Sequence, residues 1–208
     1  MKRLLVIGGG GHAKVVIDAA RCSGRWDVVA VLDDSPRLTG GVVLGVPVHG
    51  TIESISEFEG KGMSVVVAIG SNQARQDIQA GIRHAGFAIA TVLHPAAAIS
   101  SSASLGEGCV VMAGVVVNAE TRLGEGVIVN TGASIDHDCF VADFAHVAPG
   151  ASLCGGVKVG PRTLVGVGVS VIPNVSIGAD CTVAAGAAVT RDVVDGVCAA
   201  GVPARRIK

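Results

Sequence analysis

The chain has 208 residues, half of them apolar, and a formal net charge of −1. That length holds one or two domains, and the near-neutral charge gives no basis for a nucleic-acid or anionic-membrane partner. Four Phe, one Trp and no Tyr leave few surfaces on which bases would stack, and six Cys without a CxxC spacing read as reduced, cytoplasmic thiols rather than disulfides or zinc ligands.

Basic Met1-Lys2-Arg3 leads into an apolar run, Leu4–Ile7, that is too short for a signal peptide, and no stretch is long enough to span a membrane. Lys2–Ile7 reads as a buried strand. It runs into Gly8-Gly9-Gly10-Gly11-His12 and then a helix, Ala13–Cys22, closed by Ser23-Gly24. Asp27–Leu32 is a second strand, ending at Asp33-Asp34-Ser35-Pro36. Val42–His49 is extended or hairpin-like, and Thr51–Glu59 a short helix. Met63–Ile69 is a third strand, ending at Gly70-Ser71-Asn72. Gln73–Ala85 is helical, Gly86 stops it, and Phe87–Val92 is a last strand. Strand and helix alternate, so residues 1–92 should form a small Rossmann-like parallel α/β domain.

Glycines between a first strand and its helix let a diphosphate approach the backbone and the helix N-terminus. Gly8-x-Gly10-x-x-Ala13 loosely matches a dinucleotide fingerprint, and Asp33 stands where a ribose hydroxyl would be bound. There is little room for the second half of an NAD site. A nucleotide-sugar diphosphate fits the same loop with less protein, and a tight turn without a ligand is the alternative. In a parallel sheet the loops at Gly8, Asp33 and Gly70 open on one edge, the usual ligand crevice.

From Leu93 to Val189 every sixth residue is Leu, Ile or Val, seventeen positions without a break. With about one local residue in three of these types, chance yields such a run with a probability on the order of 10⁻⁸. The fifth position of each hexad is small or β-branched, as in Cys109, Val127, Ala133, Thr163 and Ala187. The fourth is mostly Gly, Asn or Asp, residues that tolerate the positive φ of a tight corner. Two inward residues and then a corner, repeated, describe short strands wound into a solenoid, so residues 93–208 should be a parallel β-helix. After Val189 the repeat decays into an irregular tail in which Arg205 and Arg206 are either phosphate contacts or a solvated pair.

The stretch with chemical potential is Asn130-Thr131-Gly132-Ala133-Ser134-Ile135-Asp136-His137-Asp138-Cys139, followed by Asp143-Phe144-Ala145-His146-Val147. His137 is the third residue of its hexad, beside a corner, so it should stand on an edge of the prism. An imidazole there is accessible and has a pKa suited to a general base. A carboxylate from Asp136 or Asp138 would fix its tautomer. His137 and His146 are the only histidines after Ile99, so zinc, which needs three protein ligands, would have to be shared between subunits.

The hexads resemble those of the hexapeptide-repeat acyltransferases, whose repeats wind into a left-handed parallel β-helix with three hexads per turn. Gly10-Gly11-His12, Leu32-Asp33-Asp34, Ala68-Ile69-Gly70-Ser71-Asn72, Ile135-Asp136-His137-Asp138-Cys139, Phe144-Ala145-His146-Val147 and the Gly201-Val202-Pro203-Ala204 tail occur in one order. Together they resemble the sialic-acid O-acetyltransferase-like family, in its branch that N-acetylates nucleotide-linked 4-amino-4,6-dideoxy sugars of bacterial glycans. The resemblance implies a homotrimer whose N-terminal domain binds a UDP- or GDP-linked amino sugar and whose solenoid binds acetyl-CoA between subunits, with no metal.

It further implies that His137 is the general base, and that Asp138, shorter than the Glu many relatives carry, raises its basicity. His146, Val167 and Ala185 match acetyl-CoA contacts. Gly10, Gly11, His12, Asp33, Asp34 and Gly70 match nucleotide-sugar contacts, and Asn130 lies near the acceptor sugar. Alternative activities are O-acetylation of sialic acid, a zinc solenoid of the γ-carbonic anhydrase type, and a non-catalytic scaffold.

Overall fold

Apolar strands alternating with amphipathic helices build the first of two units seen in a computed structural model that describes residues 1–207. The units divide between Pro95 and Ala96, and Lys208, the last residue of the expected solenoid domain, lies outside the described residues. In the first unit, strands β1 (Lys2–Ile7), β2 (Trp26–Leu32), β3 (Val42–Val43), β4 (Val46–Gly50), β5 (Met63–Val67) and β6 (Ala88–Ile89) form one sheet in the order β3-β4-β2-β1-β5-β6. All neighbours pair in parallel except β3 with β4, which form a hairpin around Leu44-Gly45. Both turn residues have positive φ, as a two-residue hairpin loop that matches strand twist requires.

Side chains alternate across the sheet, so its two faces are covered separately. Leu5, Ile7, Leu32, Val65 and Val67 pack with Ile82 of helix α2 (Asn72–His84) and with Phe58. Leu4 and Val6 point the opposite way and are equally buried, on the side covered by Ala13, Val16, Ile17 and Ala20 of helix α1 (Gly11–Cys22). The expected Thr51–Glu59 helix is a 3₁₀ helix, Ile52–Phe58. The Asp34 carboxylate accepts from Ile52 N at 2.8 Å, and the Ser56 hydroxyl donates to the Glu53 carbonyl, local bonds that compete with an α ladder. The last strand is also shorter than expected, β6 followed by a separate pair at Val92–Leu93.

The second unit is a coil of two-residue strands on three faces. Val110–Val111, Ile128–Val129, His146–Val147, Leu164–Val165 and Thr182–Val183 stack on the first face. Ala98–Ile99, Val116–Val117, Ser134–Ile135, Ser152–Leu153, Ser170–Val171 and Ala188–Val189 form the second. Ser104–Leu105, Arg122–Leu123, Phe140–Val141, Lys158–Val159 and Ser176–Ile177 form the third. Partners are eighteen residues apart on every face, for example Val129 with Val147, so one coil is three hexads.

The first and fifth hexad positions fill the interior. Val111, Val129, Ile135, Val147 and Val165 are fully buried, as are Val115, Val127, Ala133, Ala151 and Val169. Every fourth position from Gly108 to Gly186 has positive φ, including the non-glycine corners Glu120, Asp138, Phe144, Arg162, Asn174 and Asp180. The tail is more regular than its sequence suggests. Cys198–Ala200 adds a strand to the first face, parallel to Thr182–Val183, and Arg205–Arg206 folds back antiparallel to it.

Two interior hydroxyls tie adjacent coils together. Thr163 Oγ1 donates to the Gly178 carbonyl at 2.6 Å and accepts from Cys181 N at 2.9 Å; Thr121 bonds the Asp136 carbonyl and Cys139 N in the same way. Thr163→Val keeps the shape and strands both partners, so it should cost about 1–3 kcal/mol. Thermal or denaturant unfolding measures this, and an unchanged midpoint would show that the hydroxyl contributes nothing.

Candidate functional site

In the first unit the parallel register brings three strand ends to one edge. Ile7 pairs with Leu32 on one side and with Val67 on the other, so strand order reverses at β1, the place where open α/β sheets bind ligands. Gly9 N donates to Asp33 Oδ2 at 2.6 Å, and Ser35 N donates to Asp33 Oδ1 at 2.7 Å. Asp33 therefore clasps the glycine turn to the end of β2, and each of its oxygens keeps acceptor capacity for a further donor. Gly8 is the position where glycine is required: its φ is +98°, and a Cβ would lie 2.9 Å from Ile69 and 3.0 Å from the Ala68 carbonyl oxygen. Gly10 caps α1 and is exposed, as are Gly11 and Asp34.

His12 begins the first turn of α1. Burial, reinforced by the nearby Arg75 charge, pushes its pKa down to about 4, so the imidazole is neutral at physiological pH. Arg75 is fully buried. Its guanidinium donates to the Ile69 carbonyl at 3.0 Å, the Gly70 carbonyl at 3.5 Å and Asn72 Oδ1 at 2.9 Å, holding the third loop in shape. Sequence reasoning missed Arg75, because a charged residue in the first turns of an amphipathic helix reads as a solvated one.

In the second unit, His137 and Asp138 occupy the corner after the second face. The φ of +58° at Asp138 turns its carboxylate back toward its neighbour, and His137 Nδ1 donates to Asp138 Oδ2 at 2.8 Å. The shorter acid does reach. Nδ1 is thereby held as the protonated nitrogen and Nε2 left as the acceptor. The His137 pKa is raised, first by the Asp138 hydrogen bond and then by the Asp136 charge. Asp136 in turn is held low, by the His137 backbone N–H and by Asn118 Nδ2, which donates at 2.9 Å. The corner opens on a cleft of about 290 Å³ lined by Asp136, His137, Asp138, Cys154, Gly155, Gly156, Pro173 and Asn174. A base with one nitrogen fixed on a carboxylate, exposed on an edge, can take a proton from an amine or hydroxyl.

The other solenoid candidates lie elsewhere on the prism. His146 is on the first face, and Asn130 Nδ2 donates to its Nε2 at 3.2 Å from the coil before. Asn130, Val167 and Ala185 sit at the corner after the first face, Val167 two coils beyond Asn130 and Ala185 one coil further, and Val167 is exposed. Within one chain the structure thus assembles His137 with Asp138, and Asn130 with His146, but on different corners. Asn118 and Gly155 were not among the expected residues. Eighteen-residue arithmetic finds both, since Asn118 is one coil below Asp136 and Gly155 one coil above His137.

Burial pushes the Cys109 thiol up to about 12 and raises that of Cys139, which makes both inert packing residues. Among the described residues one group, Asp18, Cys22 and His94 of the first unit, places three potential metal-ligand atoms within 4.8 Å of one another. It includes neither His137 nor His146, so the carbonic-anhydrase alternative has no three-ligand set within one chain. No helix among these residues is long and apolar enough to cross a membrane.

Residues 3–82 match the PglD N-terminal domain, and residues 96–119 and 156–191 match the hexapeptide repeat of succinyl-transferase. The chain is 45% identical to a perosamine N-acetyltransferase from Caulobacter crescentus solved with CoA and GDP-perosamine. That match covers 99% of this chain and 96% of the other, with a TM-score of 0.95. It is 39% identical to the acetyltransferase domain of PglB from Neisseria gonorrhoeae solved with acetyl coenzyme A, covering 99% of both chains at a TM-score of 0.95. A UDP-N-acetylbacillosamine N-acetyltransferase from Bacillus subtilis is 38% identical over 116 residues, a match that spans about half of that relative, 52%, and 54% of this chain.

Proposed function

Because the chain belongs to the nucleotide-sugar N-acetyltransferases that join a PglD-type N-terminal domain to hexapeptide repeats, we propose that it transfers acetyl from acetyl-CoA to the amine of a UDP- or GDP-linked 4-amino-4,6-dideoxy sugar. The observation that carries this reading is the exposed His137–Asp138 pair on the solenoid corner, with Nε2 left as the proton acceptor. The sugar nitrogen attacks the thioester carbonyl carbon while His137 Nε2 takes a proton from the amine. Dipoles of the assembled site stabilise the developing oxyanion. The C–S bond then breaks, coenzyme A leaves as thiolate, and the imidazolium returns the proton to it. An acyl-enzyme on Cys139 is disfavoured, because that thiol is buried with a raised pKa.

The first unit binds the nucleotide sugar through Gly10, Gly11, His12, Asp33, Asp34 and Gly70. Acetyl-CoA is held by His146, Val167 and Ala185, with Asn130 near the acceptor. Since those residues and His137 stand on different corners, a complete site draws one corner from each of two copies, which supports a homotrimer. Six free cysteines agree with a reducing, cytoplasmic setting. Acetylation of an amine is preferred over O-acetylation of sialic acid because the similar proteins are N-acetyltransferases.

A thiol-release assay across UDP- and GDP-linked amino sugars and free sialic acid tests the reading. Release with a nucleotide-linked amine, and none with sialic acid, is the expected result. Release with sialic acid alone would move the enzyme to the O-acetyl class, and none with any acceptor would leave a scaffold.

A further inference from the structure

We propose that Gly155 is a positioning residue: the side chain it lacks is what allows the His137 ring to lie against the next coil while bonded to Asp138. This rests on the reading of His137 as the base. His137 and Gly155 hold the same hexad position one coil apart, and Gly156 N donates to the His137 carbonyl at 2.9 Å, which fixes the spacing of the two coils. A Cβ on Gly155 would stand 2.5 Å from His137 Cε1, 2.6 Å from Nε2 and 3.1 Å from Nδ1. Cε1 and Nε2 are closer than a Cβ can approach and Nδ1 is tight, so the ring has to move to make room.

Backbone conformation does not require glycine here. The φ of Gly155 is outside the left-handed region, whereas its neighbour Gly156 is a corner residue at +70°. Nor does the column require it, because Ala119 below and Pro173 above occupy the same position with side chains. Only the imidazole does. The His137 side chain is 62% exposed, so few packing contacts hold it. Its orientation depends on the Asp138 bond and on the space above Gly155. The charged or titratable groups around it are Asp136 and Asp138 of its own coil and the Cys154 thiol of the next.

Gly155→Ala should swing the ring off Asp138. In the substrate-free protein, an NMR titration should show the His137 pKa falling back toward that of an ordinary histidine. With acetyl-CoA and acceptor, kcat should fall about 10–100-fold with a smaller change in KM, as expected for a base displaced by about 1 Å. In a His137→Ala background the same substitution should cost no further activity, since the ring it displaces is gone. An unchanged titration of His137, or losses that multiply in the double variant, would overturn the proposal. If Gly155→Ala alone fails to fold, the double variant decides: folding there supports the ring clash, and failure there assigns the strain to the backbone and refutes it. The titration needs no substrate, so it fails or succeeds independently of the acetyltransfer reading.

Discussion

Replacing His137 with Ala is expected to lower kcat about 10²–10⁴-fold while KM for acetyl-CoA changes only a few-fold, the range that a positioned general base supplies. The pattern follows from the geometry. A neutral sugar amine attacking a thioester becomes strongly acidic as the C–N bond forms, and the proton has to leave before the intermediate collapses. Nε2 of His137 is the acceptor at the corner, because Nδ1 is committed to Asp138. In the proposed mechanism coenzyme A is held by His146, Val167 and Ala185 on another corner, so ground-state binding should survive the loss of the ring. Steady-state kinetics in both substrates measures the split. Turnover close to that of the unaltered protein would remove His137 from the mechanism.

Asp138→Asn should lower the plateau rate about 10–100-fold and shift the acid limb of the pH–rate profile to lower pH. A general base works only when unprotonated, so with His137 in the proposed role activity should fall as pH drops through its pKa. Asp138 is the largest cause raising that pKa, which puts the limb above the ordinary histidine value; removing its charge brings the limb back toward that value. The Asp136 charge still acts in the variant and keeps the shift partial. Asn is the informative replacement because it tolerates the φ of +58° at this corner, where most side chains would add strain. A profile that keeps its inflection would show that the Asp138 bond does not control the base.

Much of the solenoid was legible because a six-residue period has few physical solutions. The inward columns, the positive-φ corners and the exposed edge position of His137 all follow from counting. The three strand-end loops were legible as well, since parallel strands put their carboxyl ends together. Relations across coils were not. Nothing in the local sequence around Gly155 mentions an imidazole, and Asn118 becomes a partner of Asp136 only once the coil is known to contain eighteen residues. Arg75 was hidden for another reason: a guanidinium buried by satisfying carbonyls of its own loop has no signature in helix periodicity. The tail was misjudged because hairpin pairing through Cys198–Ala200 replaces the lost hexad rhythm with ordinary antiparallel hydrogen bonds.

The eighteen-residue coil also governs which changes in length the protein can absorb. An insertion of one hexad between Val147 and Val165 would pass the apolar pattern intact, yet turn everything downstream by a third of a revolution. Val167 and Ala185 would then leave the corner they share with Asn130, and Arg205 and Arg206 would emerge from another side. A duplicated full rung would instead keep each residue on its own side and only lengthen the rod. Variation in size among such chains should therefore come in whole rungs wherever the cleft residues lie on both sides of the change.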